Sequence, residues 1–179
     1  MHAFDASKIS KNGNTIRITI RRAKEGEQVT VLTGETYTLT TAMFVIADET
    51  SGQALDIAGL KGGTASGITE STTDLFVSVG TYEGALIRKM SQTLKLWTDA
   101  SLRYQNKISP EFGAYGMREV LALIVDIAGG SVRGVVDEYP ARTRIRLSPV
   151  SVTKEKIEQV LGLSLARDEI VAALGRFNL

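Results

Sequence analysis

The first half of the chain carries short, strand-like patterns. Thr15 to Ile20 alternates, with Ile16, Ile18 and Ile20 on one face and Thr15, Arg17 and Thr19 on the other. That period of two belongs to a strand with one buried face. Val29 to Leu32, Thr36 to Leu39 and Met43 to Ala47 are further β-prone runs, punctuated by Gly26, Gly34 and Asp48. Leu55 to Leu60 leads into Gly62-Gly63, and Leu75 to Val79 is one more short apolar strand. The period then lengthens. Glu83 to Leu94 sets Leu86, Ile87, Met90 and Leu94 at helical spacing. Glu111 to Ala128 is the clearest helix, with Phe112, Tyr115, Val120, Leu123, Ile124 and Ile127 on a broad apolar face. Pro110 stands where helices begin, and Gly129-Gly130 ends the pattern. Val132 to Val136 and Arg144 to Leu147 predict two more strands, around Pro140. Two short helices follow, near Lys154 to Leu161 and Arg167 to Leu174.

Strands grouped first and helices grouped later predict an α+β fold rather than alternating α/β units. The change of pattern near Asp137 to Arg142 predicts a boundary, with one domain over 1–138 and part of a small helical, winged-helix-like module over 142–179.

Composition narrows the chemistry. The chain has 179 residues and a net charge of +1, so no strong overall field draws nucleic acid or an anionic membrane. It has no cysteine, which excludes disulfides and thiolate metal sites. Its one histidine, His2, excludes a multi-histidine zinc site. It contains no run of about 18 apolar residues of the kind that spans a membrane. The opening residues, MHAFDASK, lack the pattern of a signal peptide and do not resemble a natural start, so a fragment is expected.

Taken one by one, the candidate motifs have ordinary structural explanations. Gly62-Gly63 with Gly67 can bring backbone close to a ligand or turn amides toward an anion, but a sharp turn is the simpler reading. Thr98-Asp99-Ala100-Ser101 can hold a substrate, but these residue types also cap helices. Lone His2 can act as a base or donor. Arg142, Arg144 and Arg146 alternate on one strand face, and Arg21, Arg22 and Lys24 cluster; both suit phosphate contact or a solvated surface. Asp48-Glu49 and Asp137-Glu138 serve as acids or bases only if buried together.

Read in order along the chain, several segments resemble the beta subunit of bacterial phenylalanyl-tRNA synthetase. His2-Ala3-Phe4-Asp5 matches that family's HAFD, and Val45-Ile46-Ala47-Asp48 its VIAD. Ala58 to Gly63, followed by Ser66-Gly67-Ile68, is similar to its AGIMGG segment. Leu96 to Tyr104 is similar to its L-x-T-[DE]-A-S-x-R-[FY]. Asp126 to Gly130 and the stretch from Arg146 to Phe177 resemble, in turn, a helix end and the opening of the next module.

The resemblance implies a tRNA-editing domain that hydrolyses tyrosine wrongly attached to phenylalanine tRNA. It implies an editing pocket at His2, Gly62, Ser78, Thr98 and Ala100. In that pocket His2 stands near the tRNA end, Gly62 leaves room for substrate, Ala100 sets size and Thr98 adds a hydroxyl. It implies phenylalanine tRNA, the synthetase alpha subunit and the rest of the beta chain as partners, in a cytoplasmic α2β2 assembly. ATP and magnesium belong to the holoenzyme, whose magnesium-holding carboxylates are expected beyond residue 179, so no cofactor is expected in this chain.

Three departures stand out. Ser78 falls where the family usually carries the glutamate expected to read the tyrosine hydroxyl, which predicts weakened, retargeted or lost editing. Lys61 replaces an apolar residue beside the glycines, and Gln105 to Ser109 replaces the family's E-[RK]-G-x-D. An active editing hydrolase and a silent tRNA-docking scaffold are therefore both carried forward. An unrelated nucleic-acid-binding module, resting on the alternating arginines and the C-terminal helices, is the third reading.

Overall fold

The computed structural model describes residues 1–138 and 148–177. Its contacts divide the chain into two units, Met1–Val135 and Val136–Leu179. The chain is α+β, as the order of patterns predicts.

In the first unit, β7 (Phe44–Asp48) and β8 (Ala54–Ile57) form the middle of a four-stranded antiparallel sheet. They are flanked by β4 (Ile18–Arg22) and β9 (Lys61–Gly62), in the order β4-β7-β8-β9. The central strands are covered on both faces, which is why VIAD and ALDI are almost continuously buried. Val45 and Ala47 join one apolar cluster, with Val31, Leu39, Ile57, Ile87 and Met90. Ile46 alternates to the other, with Phe4, Ile9, Leu55 and Ala58. The second cluster lies under a separate pair, β1 (His2–Asp5) and β10 (Leu75–Ser78), in which His2 faces Ser78 and Phe4 faces Phe76. Two small hairpins complete the strands: β2 (Lys11–Asn12) with β3 (Thr15–Ile16), and β5 (Gln28–Thr30) with β6 (Thr36–Thr38).

The strand expected over Thr15 to Ile20 is divided. Thr15 and Ile16 pair with β2, while Ile18 onward pairs with β7. Ile20 does not share a buried face with Ile16 and Ile18, because β4 is an edge strand and Ile20 is 59% exposed.

Helix α1 (Gly84–Leu94) begins where the Glu83 carboxylate accepts hydrogen bonds from the Ala85 and Leu86 amides. It buries Ile87 and Met90 against the sheet cluster. Gly84 is needed by packing, since a Cβ there would lie 2.6 Å from the Gln105 carbonyl oxygen. The Thr98–Ser101 patch starts a further helix, α2 (Asp99–Tyr104), through a reciprocal capping box. Helix α3 (Phe112–Ala128) is the predicted long helix and ends at Gly129 with φ 73°. It buries none of its residues, and Phe112, Tyr115, Leu123 and Ile127 are all exposed.

The strand expected over Val132 to Val136 is absent: these residues have no ladder partner among the described residues and form no regular element. β-propensity alone does not hold an isolated strand together. The strand expected over Arg144 to Leu147 lies outside the described residues, as do Arg142, Arg144 and Arg146.

Described by itself, the second unit contains α4 (Lys154–Leu161), capped by Thr153 and ended by left-handed Gly162, and α5 (Arg167–Gly175). Glu158 ties the turn between them. Its carboxylate pairs with Lys154 and accepts from the Leu165 amide and Ser164 hydroxyl, which together hold its pKa down at about 2. Leu163 and Leu174 are exposed, whereas Leu165 and Ile170 are half-buried.

Candidate functional site

A cavity of about 100 Å³ opens where β1 and β10 lie over the β8–β9 edge of the main sheet. His2, Gly62, Ser78 and Ala100 all line it, together with Asp56, Tyr82 and Tyr104. Pairing brings these groups in from distant parts of the chain. His2 and Ser78 are opposite each other on β1 and β10, and Asp56 and Gly62 are opposite each other on β8 and β9.

His2 and Gly62 form one unit. A Cβ on Gly62 would lie 1.9 Å from His2 Cε1, so the imidazole occupies the space that a side chain at 62 would fill. The glycine thus makes room for the histidine ring first. The ring also meets Phe4 edge-on at 4.4 Å. Its Nε2 is buried without a hydrogen-bond partner. Burial holds the imidazole pKa below its ordinary value, so the ring is neutral at physiological pH.

Thr98 is engaged elsewhere. Its hydroxyl donates to the Leu60 carbonyl at 2.8 Å and accepts from the Ser101 amide at 3.0 Å. It does not line the cavity; it fixes the start of α2, and α2 presents Ala100 to the cavity. Lys61 contributes to the rim, but its ammonium donates to the Thr33 hydroxyl at 2.8 Å.

The glycine-rich segment is a strand packed at close range, not an anion cradle. The Gly63 amide donates to Leu55 O, the Gly67 amide donates to Thr64 O, and a Cβ on Gly63 would stand 2.5 Å from Leu55 O. Arg21 and Arg22 are likewise engaged internally. Arg21 forms a two-pronged bond with Glu27, and Arg22 donates to Thr41 O and lies over the Phe44 ring. Neither candidate carboxylate pair is buried together: Asp48 is buried but Glu49 is exposed, and both Asp137 and Glu138 are exposed.

The residue that sequence reasoning missed is Asp56. It is only 5% exposed, and Oδ1 has no hydrogen-bond partner. Its Oδ2 lies 4.0 Å from His2 Nδ1, beyond hydrogen-bond reach. The two do not form an ion pair near neutrality. Burial pushes the Asp56 carboxyl up to about 8, and burial keeps His2 neutral. The direction of Asp56 follows from regular pairing with Ile46, which lines the same cavity; a β-bulge lies just beyond. Ile46 pairs with Asp56 but Ala47 pairs with Ala54, so Leu55 is the extra residue, immediately before the aspartate. A signal was present in the sequence: one acid inside the apolar run Ala54 to Leu60. A charged residue in a doubly covered strand is rarely accidental.

Among the described residues no group of three His, Asp or Glu side chains converges to hold a metal ion. No described helix is long and apolar enough to cross a membrane.

The family model described as "B3/4 domain" matches residues 1–129, and the chain belongs to that family. Along its whole length the chain is also similar to phenylalanine–tRNA ligase beta subunits. The one from Methylococcus capsulatus is 32% identical over 179 residues, covering 100% of this chain and 22% of the relative. Those from Pseudomonas putida and Clostridium acetobutylicum are each 34% identical over 180 residues, again covering 100% of this chain and 22% of the relative. The chain thus spans about a fifth of the length of these curated relatives.

Proposed function

We propose that this chain is the editing segment of a phenylalanine–tRNA ligase beta subunit, and that its cavity hydrolyses tyrosine esterified to phenylalanine tRNA. The observation that carries this reading is the cavity itself. It gathers His2, Ser78 and Ala100 around the Gly62 backbone, within the stretch matched by the B3/4 domain family. Its walls combine apolar and aromatic side chains with several polar groups, as in a site for a small amphipathic side chain.

The reaction needs no triad. Water attacks the ester carbonyl carbon, the bond to the terminal ribose oxygen breaks, and that oxygen leaves with a proton as free tyrosine is released. A neutral imidazole with an uncommitted ring nitrogen is suited to orient the water or carry its proton. Closely held geometry supplies much of the rate enhancement. Aminoacylation, ATP and magnesium belong to other parts of the assembly, as do the alpha subunit and most of the tRNA contact.

One observation favours a second reading, a scaffold that docks tRNA without editing it. Position 78, directly across from His2, carries a serine. A serine is too short and too weakly polar to replace a carboxylate in the same place.

The test is tyrosine release from tyrosyl-tRNA specific for phenylalanine, by the complete synthetase carrying this chain, beside its Ser78→Glu variant. Release by the unchanged enzyme, with phenylalanine spared, is the expected result. Release by the variant alone would favour the scaffold.

A further inference from the structure

Asp56 is a buried carboxyl that the fold leaves without a partner, and it lies on the cavity wall. An unpaired polar group costs about 1–3 kcal/mol when buried, so a protein that keeps one has a use for it or an occupant for the space beside it. Nothing in the fold requires an acid here. Its strand neighbours Ile46 and Gly62 are held by backbone pairing, and the apolar cluster below closes without it. Regular pairing with Ile46, itself a lining residue, puts Asp56 on the face that borders the cavity.

The chemistry of the surroundings limits the occupant. The cavity is small, and Ile46, Leu60, Ala100, Tyr82 and Tyr104 supply an apolar and aromatic lining. A ring fits such walls, and a single polar tip on that ring meets the carboxyl. A cationic tip is disfavoured, because burial keeps Asp56 protonated up to about pH 8. A hydroxyl suits either state: the protonated carboxyl donates to its oxygen, and the ionised one accepts its proton.

We propose that Asp56 is the specificity-determining residue of this site, bonding the phenolic hydroxyl of the bound aminoacyl group from strand β8. The assignment rests on the editing reading for the ligand's identity. It also resolves the serine at position 78: the hydroxyl-reading carboxyl is carried by β8 in place of β10. Phenylalanine, lacking the hydroxyl, would leave the buried Asp56 carboxyl unpartnered behind its ring, and that penalty is the discrimination.

The probes are two nonhydrolysable adenosine 3′-amides, one bearing tyrosine and one phenylalanine, titrated calorimetrically into this chain. The unchanged chain is expected to bind the tyrosyl amide at least tenfold more tightly. In Asp56→Ala the preference falls below threefold. In Asp56→Asn, which keeps a donor and an acceptor in the same shape, it is largely restored, which a purely structural role would not produce. Equal binding of the two amides by the unchanged chain overturns the proposal, and so does a preference that survives Asp56→Ala. Hydrolysis fails separately. If the synthetase leaves tyrosyl-tRNA intact while the Asp56-dependent preference holds, the editing reading falls and the recognition stands. If tyrosine release remains selective in the Asp56→Ala synthetase, editing stands and the role of Asp56 falls.

Discussion

Two aspartates on adjacent strands of one sheet have opposite fates. Asp48, at the end of β7, is 2% exposed and saturated with donors. Its Oδ2 accepts from the Ser10 amide at 2.9 Å and the Ser51 hydroxyl at 2.7 Å, and its Oδ1 accepts from the Thr50 amide at 2.8 Å. Burial alone would raise its pKa, but the bonds from Ser10 and Ser51 outweigh burial and hold it well below the usual carboxylate range. Asp56, inside β8, is buried almost as deeply, has no such donors and is pushed up to about 8. The same side chain at nearly the same depth is a structural anion in one place and a waiting acid in the other. Donor count separates them, and only the waiting acid borders a cavity.

The comparison breaks first at Asp48. Asp48→Ala strands the Ser10 and Thr50 amides and frees the β7–β8 turn, so a loss of about 3 kcal/mol is expected in urea unfolding. A loss below about 1 kcal/mol would remove the claim that its donors matter.

Gly62→Ala comes next. Its methyl needs the space held by the His2 ring. Tyrosine release by the synthetase should fall at least tenfold, with a cost in unfolding free energy of no more than about 1–2 kcal/mol, because a half-buried side chain can move aside. Unchanged release would detach His2 from the chemistry.

Asp56→Asn is expected to stabilise by about 1–2 kcal/mol at pH 8, because an amide needs no proton to stay neutral. The gain should shrink toward pH 4. In the folded chain Asp56 keeps its proton to about pH 8, whereas the unfolded chain loses it near the ordinary aspartate value of 3.8. Rising pH across that window therefore favours the unfolded state, and the unchanged chain loses stability from about pH 4 to 8 through this residue. Asp48 acts oppositely and in a lower window. Its contribution is complete above the unfolded pKa near 3.8 and fades as acid protonates it below that. Chemical denaturation of the unchanged chain and both variants across pH separates the two slopes.

Much of the fold was legible in the sequence because its strands and helices carry their own periods. β5 to β8 and β10 follow from short β-prone runs between glycines, and α1 and α3 from helical spacing. The misses have physical causes. Strand β1 has too few residues to show a period, and its place is fixed by pairing with the distant β10, His2 opposite Ser78 and Asp5 opposite Leu75. Helix α2 is one short stretch whose start is a capping box, so its first residues resemble a turn. Val132 to Val136 has the composition of a strand and no ladder to join.

For the site, His2, Gly62, Ser78 and Ala100 came from order and resemblance, and the cavity joins them. Thr98 came the same way, and its hydroxyl turns out to serve the α2 cap. Asp56 was not singled out, because an acid in an apolar run has no meaning until the strand is known to be central and covered on both faces. Asp48 and Asp56 are indistinguishable in one dimension. Their difference is made by the hydroxyls and amides the fold brings to one and withholds from the other.

The most direct measurement is the carboxyl 13C chemical shift of Asp48 and Asp56, followed by NMR across pH with and without the tyrosyl and phenylalanyl amides. The account predicts that Asp56 titrates near 8 in the free chain, that Asp48 stays ionised down to strongly acidic pH, and that only the tyrosyl amide moves the Asp56 signal. An Asp56 that titrates near 4, or that responds equally to both amides, would contradict it.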